Sequence, residues 1–373
     1  MSKITIKNNK KNSFLKTKKT QKTQKTQKTQ KTQKTQKPKI NKNKIENKLD
    51  AEFPLYRYFI TKNQIIEHFK KLKNFKPKIS HKYKGKNRLR KFKKKIVIFV
   101  QNYEKLRDLY KITDYFSQEC RIKCKFESPK FQKKNLNIKQ KGNMIEQYKL
   151  IKPKIINDLG DNVTFEKVDD YLFKNKIKEC SNFHTTFVVS LLNYLKVKKY
   201  LDFSAGWGDR LIGAIASNCK EYTGVDPSIC LHSKYKEIID TFCNKNEKKN
   251  YKVIKSGFED VSLPKKYYDL AFSSPPFFKL EIYENEKEQS VSKFNSLEKW
   301  KEGFLFPLIH KCFDSLKNYG YFAIYISDYG EYKYTQDMFN YIRENIKELK
   351  YLGDIHWMKE DNPNNIKKIN IWQ

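Results

Sequence analysis

A short apolar run, KYLDFS over 199–204, enters Ala205-Gly206-Trp207-Gly208 and leaves as DRLIGAIASNC over 209–219. Glycines placed where a strand turns into a helix let backbone N–H groups come close to a ligand. A strand of that kind needs neighbours running the same way, and the sequence supplies them. EYTGVD (221–226), YKVIKS (251–256), YYDLAFS (267–273) and GYFAIYIS (320–327) read as strands. Between them lie helical runs, one opening at Pro227 and one over 297–317 that Pro307 must kink or split. KYLGDIHWM (350–358) and IKKINIWQ (366–373) read as two last strands, close enough in sequence to pair as an antiparallel edge. The alternation predicts an α/β fold, a mostly parallel sheet with helices on both faces.

Charge divides the chain. The net charge is +38 over 373 residues, and residues 1–150 carry 45 Lys or Arg against 10 Asp or Glu, leaving only +3 for the rest. Self-repulsion on that scale opposes a compact state unless a polyanion or solvent screens it. One half is therefore expected to meet a polyanion, while the other resembles a neutral enzyme-sized domain. Residues 20–37 are six Thr-Gln-Lys triplets with no apolar side chain to build a core, so 1–50 is read as a disordered Lys-rich arm. Residues 51–150 are read as a small basic α+β domain that binds nucleic acid. Its segment 76–95 interleaves Tyr83 and Phe92 with Arg88, Arg90 and many lysines, a pattern suited to phosphate contacts and base stacking.

Several classes are excluded. No apolar stretch is long enough to cross a bilayer, so no membrane-spanning helix is expected, and the N-terminus lacks the apolar centre of a signal peptide. The seven cysteines, at 120, 124, 180, 219, 230, 243 and 312, are odd in number and scattered. They read as reduced thiols of an intracellular protein. Cys120 and Cys124 have no second Cys or His pair at ligand spacing, so no metal site is expected.

Asp226 ends the second strand, one helix beyond Gly206, where an acidic group accepts hydrogen bonds from ribose hydroxyls. A nicotinamide fingerprint would require a small residue at 211, and the chain has Leu211. Asp202-x-x-x-Gly206-x-Gly208 after strand one, the acid after strand two, and Ser274-Pro275-Pro276-Phe277 after strand four together resemble S-adenosylmethionine-dependent methyltransferases of the amino-methylating kind. The phrases DFSAGWGDRL and SSPPFF resemble methyltransferases of large DNA viruses and phages, over roughly residues 180–373. The resemblance implies a seven-stranded, mostly parallel Rossmann-like sheet with an antiparallel last strand. It makes 151–373 the methyltransferase catalytic domain and S-adenosyl-L-methionine the cofactor. Asp202, Ser204, Ala205, Gly206, Trp207 and Gly208 would then hold the methionine moiety, and Asp226 the ribose. Phe258 would pack on the adenine, with Glu259 or Asp260 receiving its amino group. The implied partner is nucleic acid, DNA ahead of RNA, in the cytoplasm, nucleus, viral factory or virion.

An exocyclic amine on adenine or cytosine is a poor nucleophile because its lone pair is delocalised into the ring. Acceptors aimed at its N–H groups favour the pyramidal geometry that forms only in the transition state. Ser274 Oγ and the Pro275 carbonyl could serve, with Pro275 and Pro276 stiffening the loop and Phe277 stacking on the base. The base must be flipped or single-stranded to reach such a loop. Ser at 274 leaves N4-cytosine and N6-adenine both open. Two other readings stand beside this one: an RNA base methyltransferase, and an inactive basic virion or packaging protein that has kept the fold. The intact motifs favour an enzyme. Glu281, Glu284, Glu286 and Glu288 are expected to face solvent, to meet the basic half or to order a lid. His184 is expected to pack, and Arg210 to face solvent or form a structural ion pair.

Overall fold

The computed structural model describes residues 53–80, 95–126, 132–133, 138–139, 142–160, 163–175, 177, 179–283, 287–360 and 366–373. The arm over 1–50, most of the basic segment 76–95, Glu284 and Glu286 lie outside the described residues.

Among the described residues nine strands make the main sheet: β1 (Lys78–Ser80), β2 (Lys95–Gln101), β3 (Lys199–Asp202), β4 (Glu221–Val225), β5 (Tyr251–Ile254), β6 (Tyr268–Ser273), β7 (Leu316–Ile324), β8 (Tyr351–Lys359) and β9 (Ile366–Trp372). Their spatial order is β1-β2-β8-β9-β7-β6-β3-β4-β5. From β7 to β5 all neighbours run parallel. β9 is antiparallel to both β7 and β8, β2 runs parallel to β8, and β1 closes that end antiparallel.

Strand side chains alternate between faces, and here both faces are buried. Tyr200, Leu270, Phe272 and Ala323 join one core, whereas Leu201, Ala271, Phe322 and Ile324 join the other. That double burial explains why the strands read as continuous apolar runs. The first core is completed by the helices Thr185–Tyr194, Asp209–Ala216 and Ile229–Phe242, and the second by Phe306–Ser315 and Thr335–Asn345. Pro307 sits in the first turn of Phe306–Ser315, directly after a π-helical stretch at Lys301–Leu305. The backbone stays helical from Leu297 to Ser315, so the proline, which has no N–H to donate, is accommodated beside the π-helical stretch and does not split the helix.

Two expectations need correction. The sheet has nine strands and not seven, because β1 and β2 are added from the N-terminal half. The last two strands do pair antiparallel, but not as an edge: β9 lies between β7 and β8, and β2 covers the outer side of β8. Ile65, Phe69, Ile112 and Phe116 share a core with Phe187, Leu211 and Ile238, on both sides of residue 150. The helix Lys62–Lys73, capped by Thr61 and Gln64, turns Ile65, Phe69 and Leu72 inward as their spacing predicts. An open β8 edge would leave a row of backbone N–H and C=O groups unpaired, and β2 satisfies it. A smaller core, around Met144, Tyr148, Phe165 and Leu172, joins the helices Met144–Leu159 and Phe165–Lys174. Among the described residues no helix is long and apolar enough to cross a membrane.

Candidate active site

Strands β3, β4 and β5 run out from the middle of the sheet one way, and β6 and β7 the other. The turns that follow β3 and β6 therefore face each other across a switch point in strand order, where α/β sheets open a crevice. A cavity of about 330 Å³ lies there.

After β3, Gly206 (φ +59°) and Gly208 (φ +98°) take left-handed backbone that favours glycine. A Cβ at Gly208 would also lie 2.8 Å from Ile238 Cδ1. Ser204, Gly206 and Trp207 line the cavity, whereas Ala205 and Gly208 do not. The Ala205 N–H is instead donated to the Val225 carbonyl at 2.9 Å. Trp207 donates its indole N–H to the Ser181 carbonyl at 3.1 Å, which turns the ring into a wall.

Asp202 ends β3 behind the glycine turn. It is fully buried and does not line the cavity. Both of its oxygens accept from Arg210 Nε at 3.0 Å, and one also takes the Tyr222 hydroxyl at 2.8 Å. Arg210 further donates to the Ser204 carbonyl. Asp202 thus anchors the turn through Arg210. Arg210 forms the structural ion pair. Burial works to lower its pKa, but the Asp202 charge outweighs burial and holds it above the usual arginine value.

Asp226, at the end of β4, does line the cavity. One oxygen accepts the Gly206 N–H at 2.8 Å and the other the Ser228 N–H at 3.0 Å. Burial pushes its pKa up to about 6, against the lowering effect of those two bonds. The folded chain therefore holds this proton more tightly than the unfolded chain between the ordinary value of 3.8 and about 6. The stability from this group is full below that window and is lost as pH rises through it.

Phe258, Glu259 and Asp260 form a short 3-10 turn after β5. Phe258 is buried edge-on to Phe203, with centroids 5.9 Å apart. Lys311 gathers the carbonyls of Phe258, Glu259 and Val261 and so holds the turn closed. Glu259 lines the cavity, while Asp260 points outward and is 58% exposed. Lys293 binds Glu259 at 3.0 Å, Asp260 at 2.6 Å and Glu288 at 2.9 Å. Neither Lys293 nor Lys311 belongs to any motif visible in the sequence.

Ser274, Pro275, Pro276 and Phe277 all line the cavity. Ser273, buried at the end of β6, donates Oγ–H to the Ser204 carbonyl at 3.0 Å and ties the two turns together. Phe278 follows with φ +49° and is buried between Trp300 and Tyr332. A non-glycine residue held there costs on the order of 1–3 kcal/mol, and the packing of its ring offsets that strain.

The remaining walls were not legible beforehand. Asp209 accepts from Thr113 Oγ1 at 2.6 Å and from the Phe183 N–H at 3.2 Å, joining the helix Ile112–Arg121 to the cavity rim. Burial pushes its pKa up to about 7. Glu281 accepts from the Ser181 N–H and the Tyr283 hydroxyl, and its strand pairs antiparallel with Lys125–Phe126. That member of the acidic cluster does meet the N-terminal half; Glu288 instead pairs with Lys293. His184 packs between Tyr110 and Trp357, at centroid distances of 4.0 and 3.8 Å, and burial pushes its pKa down so that it stays neutral.

The cysteine reading is also corrected. Cys120–Cys230 and Cys124–Cys180 are disulfides, and Cys219, Cys243 and Cys312 are free and buried. Cys180 directly precedes the cavity-lining Ser181–Phe183, and Cys230 stands in the first turn of the helix after Asp226. Both bridges thus tie the end of the helix Ile112–Arg121, or the turn just past it, to the cavity walls. The four residues come together only in the fold, with separations of 110 and 56 residues.

No family model and no curated protein matches the chain. Among solved structures it is similar to the CcbJ methyltransferase from Streptomyces caelestis, at 13% identity and TM-score 0.27, covering 37% of this chain and 45% of that one. It is also similar to the tRNA methyltransferase TrmI from Aquifex aeolicus, at 12% identity and TM-score 0.31, covering 51% and 69%. A SAM dependent methyltransferase from Aquifex aeolicus is matched at 15% identity and TM-score 0.31, covering 51% and 97%. The chain spans less than half the length of CcbJ. At such scores these likenesses carry no weight for the chemistry.

Proposed function

We propose that this chain is an S-adenosylmethionine-dependent methyltransferase acting on an exocyclic amine of a nucleic-acid base, DNA ahead of RNA. The observation that carries this reading is a single cavity lined by both Asp226 and Ser274–Phe277, with Ser273 bonded to Ser204 between them. The residues fit the cofactor. Each Asp226 oxygen takes one backbone N–H and keeps a lone pair for a ribose hydroxyl. Phe258 offers an apolar face and Glu259 a carboxylate at the same end. When bound, S-adenosylmethionine supplies a methyl group activated by its sulfonium.

The chain's own part is positioning. Ser274 Oγ and the Pro275 carbonyl accept from the two amine N–H groups and direct the nitrogen lone pair, while Phe277 stacks on the base ring. Pro275 and Pro276 keep these groups preorganised, so no reorganisation is needed as charge develops. Nucleic acid is held through the basic N-terminal half.

Two measurements test the reading. Asp226→Ala is expected to weaken S-adenosylmethionine binding by on the order of 1.5–3 kcal/mol in calorimetry. Unchanged affinity in the Asp226→Ala variant removes Asp226 from the site. In the unsubstituted protein affinity is expected to fall as pH drops below about 6, where Asp226 protonates. Tritiated methyl transfer to DNA and RNA, followed by nucleoside analysis, is expected to yield N4-methylcytosine or N6-methyladenine. Phe277→Ala should reduce transfer by a stacking contribution of roughly 1–3 kcal/mol, and Ser274→Ala by about 2.7 kcal/mol or less, both with cofactor binding nearly intact. Formation of 5-methylcytosine, or full turnover in the double variant, overturns the assignment of this loop.

A further inference from the structure

The cavity continues past the Ser274–Phe277 loop to a wall made by the last hairpin, β8–β9. Asp226 ends β4, the loop follows β6 two strands away, and β9 lies two strands further on. At about 4.8 Å per strand, β9 stands roughly 19 Å from β4. The hairpin end therefore lies beyond the loop proposed to handle the amine, on the side away from the ribose acceptor.

Two hairpin residues line that end, and they are register partners: Trp357 of β8 and Lys367 of β9. The rings there form a chain. Phe277 and Tyr325 have centroids 5.7 Å apart, Tyr325 and Phe183 6.0 Å, and Phe183 and Trp357 6.4 Å. Lys367 Nζ stands 5.4 Å from the Tyr325 centroid and 5.6 Å from that of Trp357. Among the described residues this ammonium has no carboxylate at ion-pair distance. Trp357 is 5% exposed, and its indole N–H has no hydrogen-bond partner among the described residues. Buried donors are almost always paired, so an unpaired one in a cavity wall calls for an acceptor that arrives with a ligand.

We infer that Trp357 and Lys367 form the substrate subsite for one nucleotide, the indole N–H donating to a base acceptor and the ammonium meeting the adjoining phosphate. The inference rests on the function proposed above and names the substrate end of that same site. Its ligand must bring three things together: a planar ring for the aromatic wall, an acceptor on that ring for a buried donor, and an anion for one cation. A nucleotide within a single strand or flipped from a duplex has all three. The amide nitrogen of a glutamine side chain comes with no ring and no anion.

The test uses the full chain with saturating S-adenosylhomocysteine and a fluorescently labelled single-stranded oligonucleotide, titrated by anisotropy over a salt series. Lys367→Gln is expected to weaken binding about tenfold and to reduce the slope of log affinity against log salt by about one. Lys367→Arg is expected to keep the slope. Trp357→Phe, which keeps an aromatic ring and removes the donor, is expected to lower kcat/KM for methyl transfer about tenfold while the salt slope stays unchanged. Calorimetric affinity for S-adenosylhomocysteine is expected to be the same in all three variants, which separates a substrate contact from a collapsed site. If the unsubstituted protein methylates the oligonucleotide but Lys367→Gln keeps its slope and Trp357→Phe its kcat/KM, this subsite is wrong and the methyltransferase reading stands. If the unsubstituted protein neither binds nor methylates nucleic acid, both fall.

Discussion

Arg210→Met should lower the stability of the folded chain by about 3–5 kcal/mol, the cost of leaving a buried carboxylate without its partner. Asp202 is fully buried, and Arg210 is its cationic partner, shared between both oxygens. The same guanidinium holds the Ser204 carbonyl, so the turn that lines the cavity should loosen as well. The midpoint of denaturant unfolding is expected to drop sharply, and S-adenosylmethionine affinity to fall with it. Pairing the change with Asp202→Asn should restore part of the stability, because the uncompensated charge is then gone. A single variant within about 1 kcal/mol of the unsubstituted protein would show that solvent reaches Asp202 and that the pair does not anchor the turn.

The second large effect concerns the disulfides. Removing either bridge, by Cys120→Ser or Cys124→Ser, should cost about 2–4 kcal/mol, since each closes a long loop in the unfolded chain. Their separations of 110 and 56 residues place both among long-loop bridges. Reductant should lower the melting temperature of the unsubstituted protein in the same direction. Thiol titration in denaturant gives an independent check. Three reactive thiols are expected before reduction, matching Cys219, Cys243 and Cys312, and seven after it. Seven thiols without reductant would mean that the four paired sulfurs are neighbours only. Loss of Cys124–Cys180 should also disturb Ser181–Phe183, so cofactor affinity is expected to fall more in Cys124→Ser than in a core variant of equal stability.

Local chemistry explains what could be read in advance. Gly206 and Gly208 were legible because a strand-to-helix turn with left-handed backbone nearly requires glycine. Asp226 and Ser274–Phe277 were legible because they directly follow apolar strand runs, and strand ends in an α/β sheet open onto the crevice. For Asp202 the strand-end position alone does not give the environment. Its place at the end of β3 marked it for the site, but whether a strand-end carboxylate faces a cavity or a buried arginine depends on the neighbouring strand, here on Tyr222 and the helix that carries Arg210.

The α/β class, the strands β3–β9, the order of the glycine turn, the acid and the Ser-Pro-Pro-Phe loop, and the segregation of charge into the N-terminal half can all be read from the amino-acid order. Each of these rests on periodicity, backbone permissiveness or composition, which act between near neighbours or are sums over a segment. Contacts made across the folded chain set the rest: β2 joins the sheet beside β8, Cys120, Cys124, Cys180 and Cys230 pair, Lys311 and Lys293 hold the Phe258–Asp260 turn, and Trp357 and Lys367 reach the cavity. Those outcomes depend on which strand edge is left open and on which side chains meet across long stretches of chain. A lysine or a cysteine carries no local mark of the partner it will find. The charge pattern separated the chain into two halves, but burying apolar helix faces such as Ile65, Phe69 and Phe116 against the same core as Phe187 and Leu211 joined them. Apolar burial adds over every contact in the core, whereas like charges on a solvated surface repel only weakly through water and salt.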